Sequence, residues 1–259
     1  MTSPPTGNQQ VTTTSWPAIP AGRVALKAGG YLAAVTTFEL PAFALARHPV
    51  TNAVYARFIA AGGYDNARWW LEDGWAQRQR WGWTAPRYWG GRDWNEPDHP
   101  VVGVSWYEAL AYCRWLSAGT GRAITLPTEQ QWQRAAQGDD ERPFPWGQAL
   151  PDATRCNWQR NVDETTPVDA YPAGASPYGV LDLSGNVWEW TLTGWESGNR
   201  RPEAGANGEL RLLRGGSWSS DSPYSLQVDN RSALDPNTRL DPAYRNHVTV
   251  GFRCAVVSG

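Results

Sequence analysis

From Ile19 to Ala46 the apolar runs are short. They cover Arg23–Leu26, Tyr31–Val35, Phe38–Leu40 and Phe43–Ala46, and Gly29-Gly30 and Pro41 break them, which predicts small strands. Three helices follow. Thr51 is placed as an N-cap, with Val54, Tyr55, Phe58 and Ile59 at helical spacing until Gly62-Gly63 stops the run. Ser105 and Glu108 fit a capping box ahead of Ala109, Leu110, Cys113 and Leu116. Thr128 and Gln131 fit a second box, leading to Trp132, Ala135 and Ala136. After Gly138 periodicity is lost, and the remainder predicts loops, turns and short strands.

Between the first two helices, Trp69, Trp70, Trp75, Trp81, Trp83, Trp89 and Trp94 crowd one insertion. Such rings either present an aromatic surface for sugars or choline-like cations, or pin a long irregular loop onto the body, the reading favoured because a loop of that length must bury something to stay ordered. Composition fits a loop-rich domain: 26 Gly, 20 Pro and 17 Trp in 259 residues. A net charge of −2 exerts no pull on nucleic acid or anionic membrane. No apolar run is long enough to span a bilayer, and the start MTSPPTGNQQVTTTSW lacks the basic and apolar regions of a signal peptide, so a cytoplasmic location is expected. Residues 1–18 are expected to be a disordered tail and 19–259 one domain. Cys113, Cys156 and Cys254 are too few for a disulfide scaffold.

Several strings recur in a telling order: HPVTNAVYARFIAAGG (48–63), HPVVGVSWYEALAYCRWLS (99–117), LPTEQQWQRAA (126–136), FPWG (144–147), NW (157–158), PVDAYP (167–172), YGVLDLSGNVWEWT (178–191), LRGGSW (213–218) and GFRCA (251–255). Over 19–255 the chain resembles the sulfatase-modifying-factor family, founded on the formylglycine-generating enzyme. The resemblance implies an α+β class, a C-type lectin-like fold with little regular secondary structure. It also implies Cys113 and Cys254 as a structural pair, against the alternative of two buried reduced thiols.

Because this fold hosts enzymes and non-enzymes, the site must decide. Formylglycine-type oxidation needs two reactive thiols after the Gly-Gly-Ser-aromatic string to hold copper. Here Ser219, Ser220, Asp221, Ser222, Pro223 and Tyr224 follow Trp218 with no cysteine before Cys254, so no copper is expected. Relatives of the ergothioneine-synthesis type add a helical domain with three iron-binding histidines. His48, His99 and His247 are the only histidines here and form no helical set.

The segment 219–249 carries a small repeat, LDPNTR (234–239) then LDPAYR (240–245), with Asp-Pro turns and closing arginines. It resembles the variable proteins of diversity-generating retroelements. That likeness implies a non-enzymatic protein with a diversified patch in region 213–255, read at Ser219, Ser220, Asp221, Tyr224, Ser225, Asp229, Ser232, Leu234, Asn237, Leu240, Ala243, Asn246, His247 and Thr249. All are types reachable from an asparagine codon by changing adenines. Trp218, Arg231, Pro236, Arg239, Pro242, Arg245 and Gly251–Arg253 would be scaffold, with the arginines beneath the patch bonding carbonyls. The expected partner is an unidentified protein or other macromolecule, bound as antibody paratopes bind. The alternatives are a non-diversified binding or regulatory relative, or an oxidase of the family. The family resemblance also implies structural calcium, at Asn157 and Asp163 or at Asn186 and Glu189, whose oxygens suit a hard cation.

Overall fold

Local signals set the helices. The computed structural model describes residues 15–91, 94–201, 208–239 and 249–257. Helix α1 (Asn52–Ala60) follows Thr51. Helix α3 (Trp106–Thr120) starts on a complete capping box between Ser105 and Glu108 and stops at Gly121 in the left-handed conformation. Helix α4 (Glu129–Gln137) starts on the reciprocal Thr128–Gln131 box. The tryptophan insertion, read as irregular, contains α2 (Glu72–Trp81). Its sequence has no apolar stripe, but Glu72 and Asp73 open it, Arg78 and Arg80 close it, and left-handed Gly82 ends it, in keeping with the helix dipole.

Short strands form three sheets. Strands β1 (Ala18–Ile19), β4 (Phe43–Leu45), β10 (Ala255–Val256) and β5 (Ile124–Thr125) lie in the order β1-β4-β10-β5. Strands β2 (Gly22–Leu26) and β3 (Thr36–Leu40) make an antiparallel hairpin. The stretch Tyr31–Val35, expected as a strand, is a turn closed by a Gly29–Leu32 bridge. The third sheet runs β8-β7-β6-β9, from β8 (Ser232–Leu234), β7 (Arg211–Arg214), β6 (Trp188–Gly194) and β9 (Val250–Gly251), with β6 and β9 parallel. Every residue of β6 is buried, so it is covered on both faces. The expected tail boundary at residue 18 shifts: Arg47 N donates to Ser15 O and Leu45 N to Pro17 O, joining residues 15–18 to the domain. Residues 1–14 lie outside the described residues.

The main core gathers α1, α3, β6 and the insertion around Tyr55, Phe58, Trp106, Tyr112, Trp190 and Phe252. Trp69 and Trp70 are buried in it, and Trp75, Trp83 and Trp89 pack against it. A second cluster joins Trp132 of α4 to Ile19, Phe43 and Leu183. Among the described residues no helix is long and apolar enough to cross a membrane.

Candidate functional site

One corner concentrates unusual backbone. Beyond β7 the chain turns through Gly215 (φ 103°) and Gly216 (φ 74°). Space as well as φ demands glycine at 216, where a Cβ would lie 2.6 Å from Leu226 and 2.8 Å from Ser225 O. Four non-glycine described residues adopt left-handed φ: Gln159, Arg160, Asp182 and Asn186. Three of them bond this corner directly. Gln159 N donates to Ser220 O (2.9 Å), Arg160 N to Trp218 O (2.9 Å), and Trp218 N to Asn186 O (3.0 Å). Asp182 accepts from Asn186 Nδ2 (3.0 Å). Left-handed backbone costs energy away from glycine and gathers where function requires a fixed geometry.

At the corner hydroxyls lie beside indoles, with Ser217 and Trp218 buried and Ser219, Ser220 and Trp94 half-buried. Ser217 N donates to Ser220 Oγ (3.0 Å), and the hydroxyls of Ser217 and Ser219 lie 3.1 Å apart. Trp218 Nε1 donates to Thr249 Oγ1 (2.7 Å). The Trp94 ring sits 6.1 Å from the Trp218 ring at 32°. Asn52 Nδ2 bonds the carbonyls of Trp94 and Glu96 and so fixes this second indole. The Arg160 guanidinium stands 5.5 Å from the Trp218 ring.

Arginines hold the frame. Arg253 gives Nε and Nη2 to the two Glu189 oxygens, each at 2.6 Å, and its remaining protons to the carbonyls of Ala46, Arg47, Leu181 and Asp182. Trp132 Nε1 adds 2.8 Å to Glu189. Arg231 Nε lies 2.8 Å from Glu129, and Arg239 Nε 3.0 Å from Glu108. Neither nitrogen is aligned for a hydrogen bond, so both contacts act as charge proximity. Burial raises the Glu108 pKa, partly offset by Arg239. Burial likewise pushes Asp182 up to about 7. Pro242 and Arg245, expected with Arg231 and Arg239 as scaffold, fall outside the described residues.

The residues expected to form an outward patch do not share one role. Among the described ones, only Asp221 and Tyr224 are exposed. Ser219, Ser220 and Thr249 are bonded into the corner. Ser225 follows in a 3-10 turn (Pro223–Leu226). Ser232 and Leu234 lie in β8, and Leu234 packs on the main core. Asp229 pairs with Lys27. Asn237 bonds Asp235 within its own turn, because polar turn residues satisfy nearby backbone first. Leu240, Ala243, Asn246 and His247 lie outside the described residues.

Of the expected calcium ligands, Glu189 spends both oxygens on Arg253 and Trp132. Asn186 exchanges bonds with Thr166 N and O. Asn157 Nδ2 donates to Glu164 O, but its Oδ1 is buried without a partner. Asp163 is exposed and pairs with Arg160 at 3.4 Å.

The thiols of Cys113 and Cys254 are buried with their sulfurs 3.6 Å apart and unbonded, side by side as the family resemblance implies. Burial pushes the Cys156 thiol up to about 12, which leaves it protonated at neutral pH. Among the described residues no three His, Cys, Asp or Glu side chains converge as a metal site.

The Sulfatase-modifying factor enzyme 1-like domain profile matches residues 2–257. Hercynine oxygenase of Mycobacterium tuberculosis is 38% identical over 239 residues, covering 84% of this chain and 53% of that protein. The chain therefore spans about half the length of this relative. Two solved structures share the fold. PvdO from Pseudomonas aeruginosa gives a TM-score of 0.69 at 22% identity, covering 92% of each chain. Treponema denticola variable protein 1 gives 0.66 at 20%, covering 93% of this chain and 94% of that one. These findings bear out the α+β, C-type lectin-like fold. They overturn the expected non-enzymatic, diversified binding protein. The strong sequence match is to an enzyme, and the variable protein is a fold neighbour alone. The segment misled because polar turn residues on an Asp-Pro frame read the same whether they display or brace.

Proposed function

On the premise that this chain belongs to the sulfatase-modifying factor enzyme 1-like family, we propose that it is the substrate-seating domain of an oxygenase resembling hercynine oxygenase, with the Gly215–Ser220 corner as the seat. The observation that carries this reading is the Trp94–Trp218 pair set beside the Ser217 and Ser219 hydroxyls on a strained, fully braced backbone. Hercynine, the substrate in that relative's name, joins a quaternary ammonium, an imidazole and a carboxylate. Indole faces attract the ammonium. Arg160, 5.5 Å from the Trp218 ring, would have to exchange its 3.4 Å contact with Asp163 for the ligand carboxylate. The serine hydroxyls both donate and accept toward imidazole nitrogens.

Metal-dependent oxygen activation does not fit the described residues by themselves. His99 Nδ1 is engaged with Thr165 Oγ1 at 2.9 Å, His48 lies among the charges of Arg253 and Arg47, and no third ligand joins either. The part proposed for this chain is binding and orientation. Titrating hercynine into the protein by calorimetry tests it. Saturable binding is expected, weakened about tenfold or more by Trp218→Ala and by Trp94→Ala, and weaker for unmethylated histidine. Absence of binding, or binding indifferent to both indoles, defeats the reading.

For calcium, the orphaned Asn157 Oδ1 supports a hard-cation position there. A calcium-dependent rise in melting temperature that Asn157→Leu abolishes is expected; a melting temperature indifferent to calcium rejects the site.

A further inference from the structure

Away from the corner, α4, the β2–β3 hairpin and residues 227–229 enclose a cleft of about 470 Å³, within the range of small-molecule sites. Its floor is Gln133. The side chain is buried and fixed by three groups: Nε2 donates to Ala25 O (3.0 Å) and Gln137 Oε1 (3.0 Å), and Oε1 accepts from Arg214 Nη2 (2.5 Å), which also donates to Val228 O (2.5 Å). The charged groups around the cleft are largely matched in place. Lys27, the only lysine, pairs with Asp229. Arg142 makes a two-point bond to Asp140, with both contacts at 2.6 Å, and donates to Pro145 O. Glu141 stands exposed at the rim.

The hydrogen-bonding capacity left over is carboxamide. The Gln137 oxygen is occupied by Gln133, which leaves its NH2 group, and the Gln148 and Gln227 side chains also line the space. Each amide group is neutral and supplies donors and acceptors side by side. Among the described residues no aromatic side chain lines the cleft to give a platform for stacking.

We infer that this cleft binds a neutral polyhydroxylated small molecule, a mono- or disaccharide, gripped at its hydroxyl edges by glutamine amides. An anionic ligand would have to break the Lys27–Asp229 or Arg142–Asp140 pair and lie beside Glu141, and a cationic one would face Lys27 and Arg142; a flat heteroaromatic would find no ring among the described lining residues. This site is independent of the proposed substrate seat.

Ligand-observed NMR and calorimetry on the whole chain test the inference with glucose, galactose, maltose and lactose, against glucosamine and gluconate as charged comparators. At least one neutral sugar is expected to bind saturably and more tightly than either comparator. Gln148→Leu and Gln227→Leu should each weaken it about tenfold at unchanged melting temperature. Hercynine titrations of the same variants should stay at the wild-type result. No saturation by any neutral sugar, preference for a charged comparator, or binding unmoved by both variants overturns the inference.

Discussion

Two regions of this molecule are held by opposite means. The insertion between α1 and α3 is anchored by volume: Trp69 and Trp70 are buried, and Trp75, Trp83 and Trp89 lean on the same core. The carboxyl-terminal third is anchored by charge, with Arg214 and Arg253 adding directed hydrogen bonds. Arg214 and Arg231 meet Glu129, Arg239 meets Glu108, and Arg253 meets Glu189. Apolar burial tolerates small shifts, because it scales with area and has no preferred angle. A guanidinium fork on a carboxylate and several carbonyls tolerates few. The region that carries the strained corner is thus the one fixed in orientation, as a binding seat requires.

The sharpest way to break this contrast is Arg253→Ala. It strips Glu189 of two bonds and leaves a buried carboxylate with one indole donor. Losing one partner of a buried pair costs about 3–5 kcal/mol, and denaturant unfolding should show a loss of that size. If packing rather than direction holds this region, the loss will stay below about 1 kcal/mol. Replacing both Arg253 and Glu189 with leucine should recover part of the deficit, because no buried charge is then stranded.

Next comes Trp70→Ala. Its ring is 5% exposed and its Nε1 donates to Gly63 O at 2.9 Å. A loss of about 3 kcal/mol is expected from cavity and bond together. The insertion should loosen while hercynine binding at Trp218 falls less than in Arg253→Ala. Equal loss of binding in the two variants would erase the distinction between the regions.

How much of this was readable in sequence follows the range of each interaction. The capping boxes of α3 and α4 were plain, because donor and acceptor stand three residues apart. Helix α2 escaped because a polar ten-residue segment has no apolar period, although its charged ends and Gly82 were signals. The arginine–glutamate pairs were out of reach: Arg214 and Glu129 are 85 positions apart, Arg253 and Glu189 are 64. The arginines could be guessed as scaffold, but their carboxylate partners could not. Nor could the Trp94–Trp218 pair, since nothing in a tryptophan-rich insertion says which ring will cross to the corner.

A smaller effect probes the charge around Arg253. Burial, then Arg253 and Arg47, hold the His48 imidazole down to about 4, below its ordinary 6.5. Between those values the unfolded chain binds a proton that the folded protein refuses. Stability therefore falls as pH drops from 6.5 toward 4, by at most about 1.4 kcal/mol per pH unit, and by less because the ring is partly exposed. Denaturation midpoints at a series of pH values should show this slope, and His48→Gln should flatten it. An unchanged slope in the variant would place the acid sensitivity elsewhere.

The smallest effect bears on the volume half. Trp81 ends α2 at 63% exposure, bonded only to Gln77 within its own helix and approached by Arg80. If the insertion is secured by buried indoles alone, Trp81→Ala should change stability by less than about 0.5 kcal/mol, although it removes the same side chain as Trp70→Ala. A loss comparable to that of Trp70 would mean the exposed ring is covered in solution, and the insertion would then be held by a contact beyond its own core. Chemical denaturation of the two single variants and the double variant decides this. Additive effects are expected, because the Trp70 ring meets Trp75 whereas the Trp81 ring bonds Gln77.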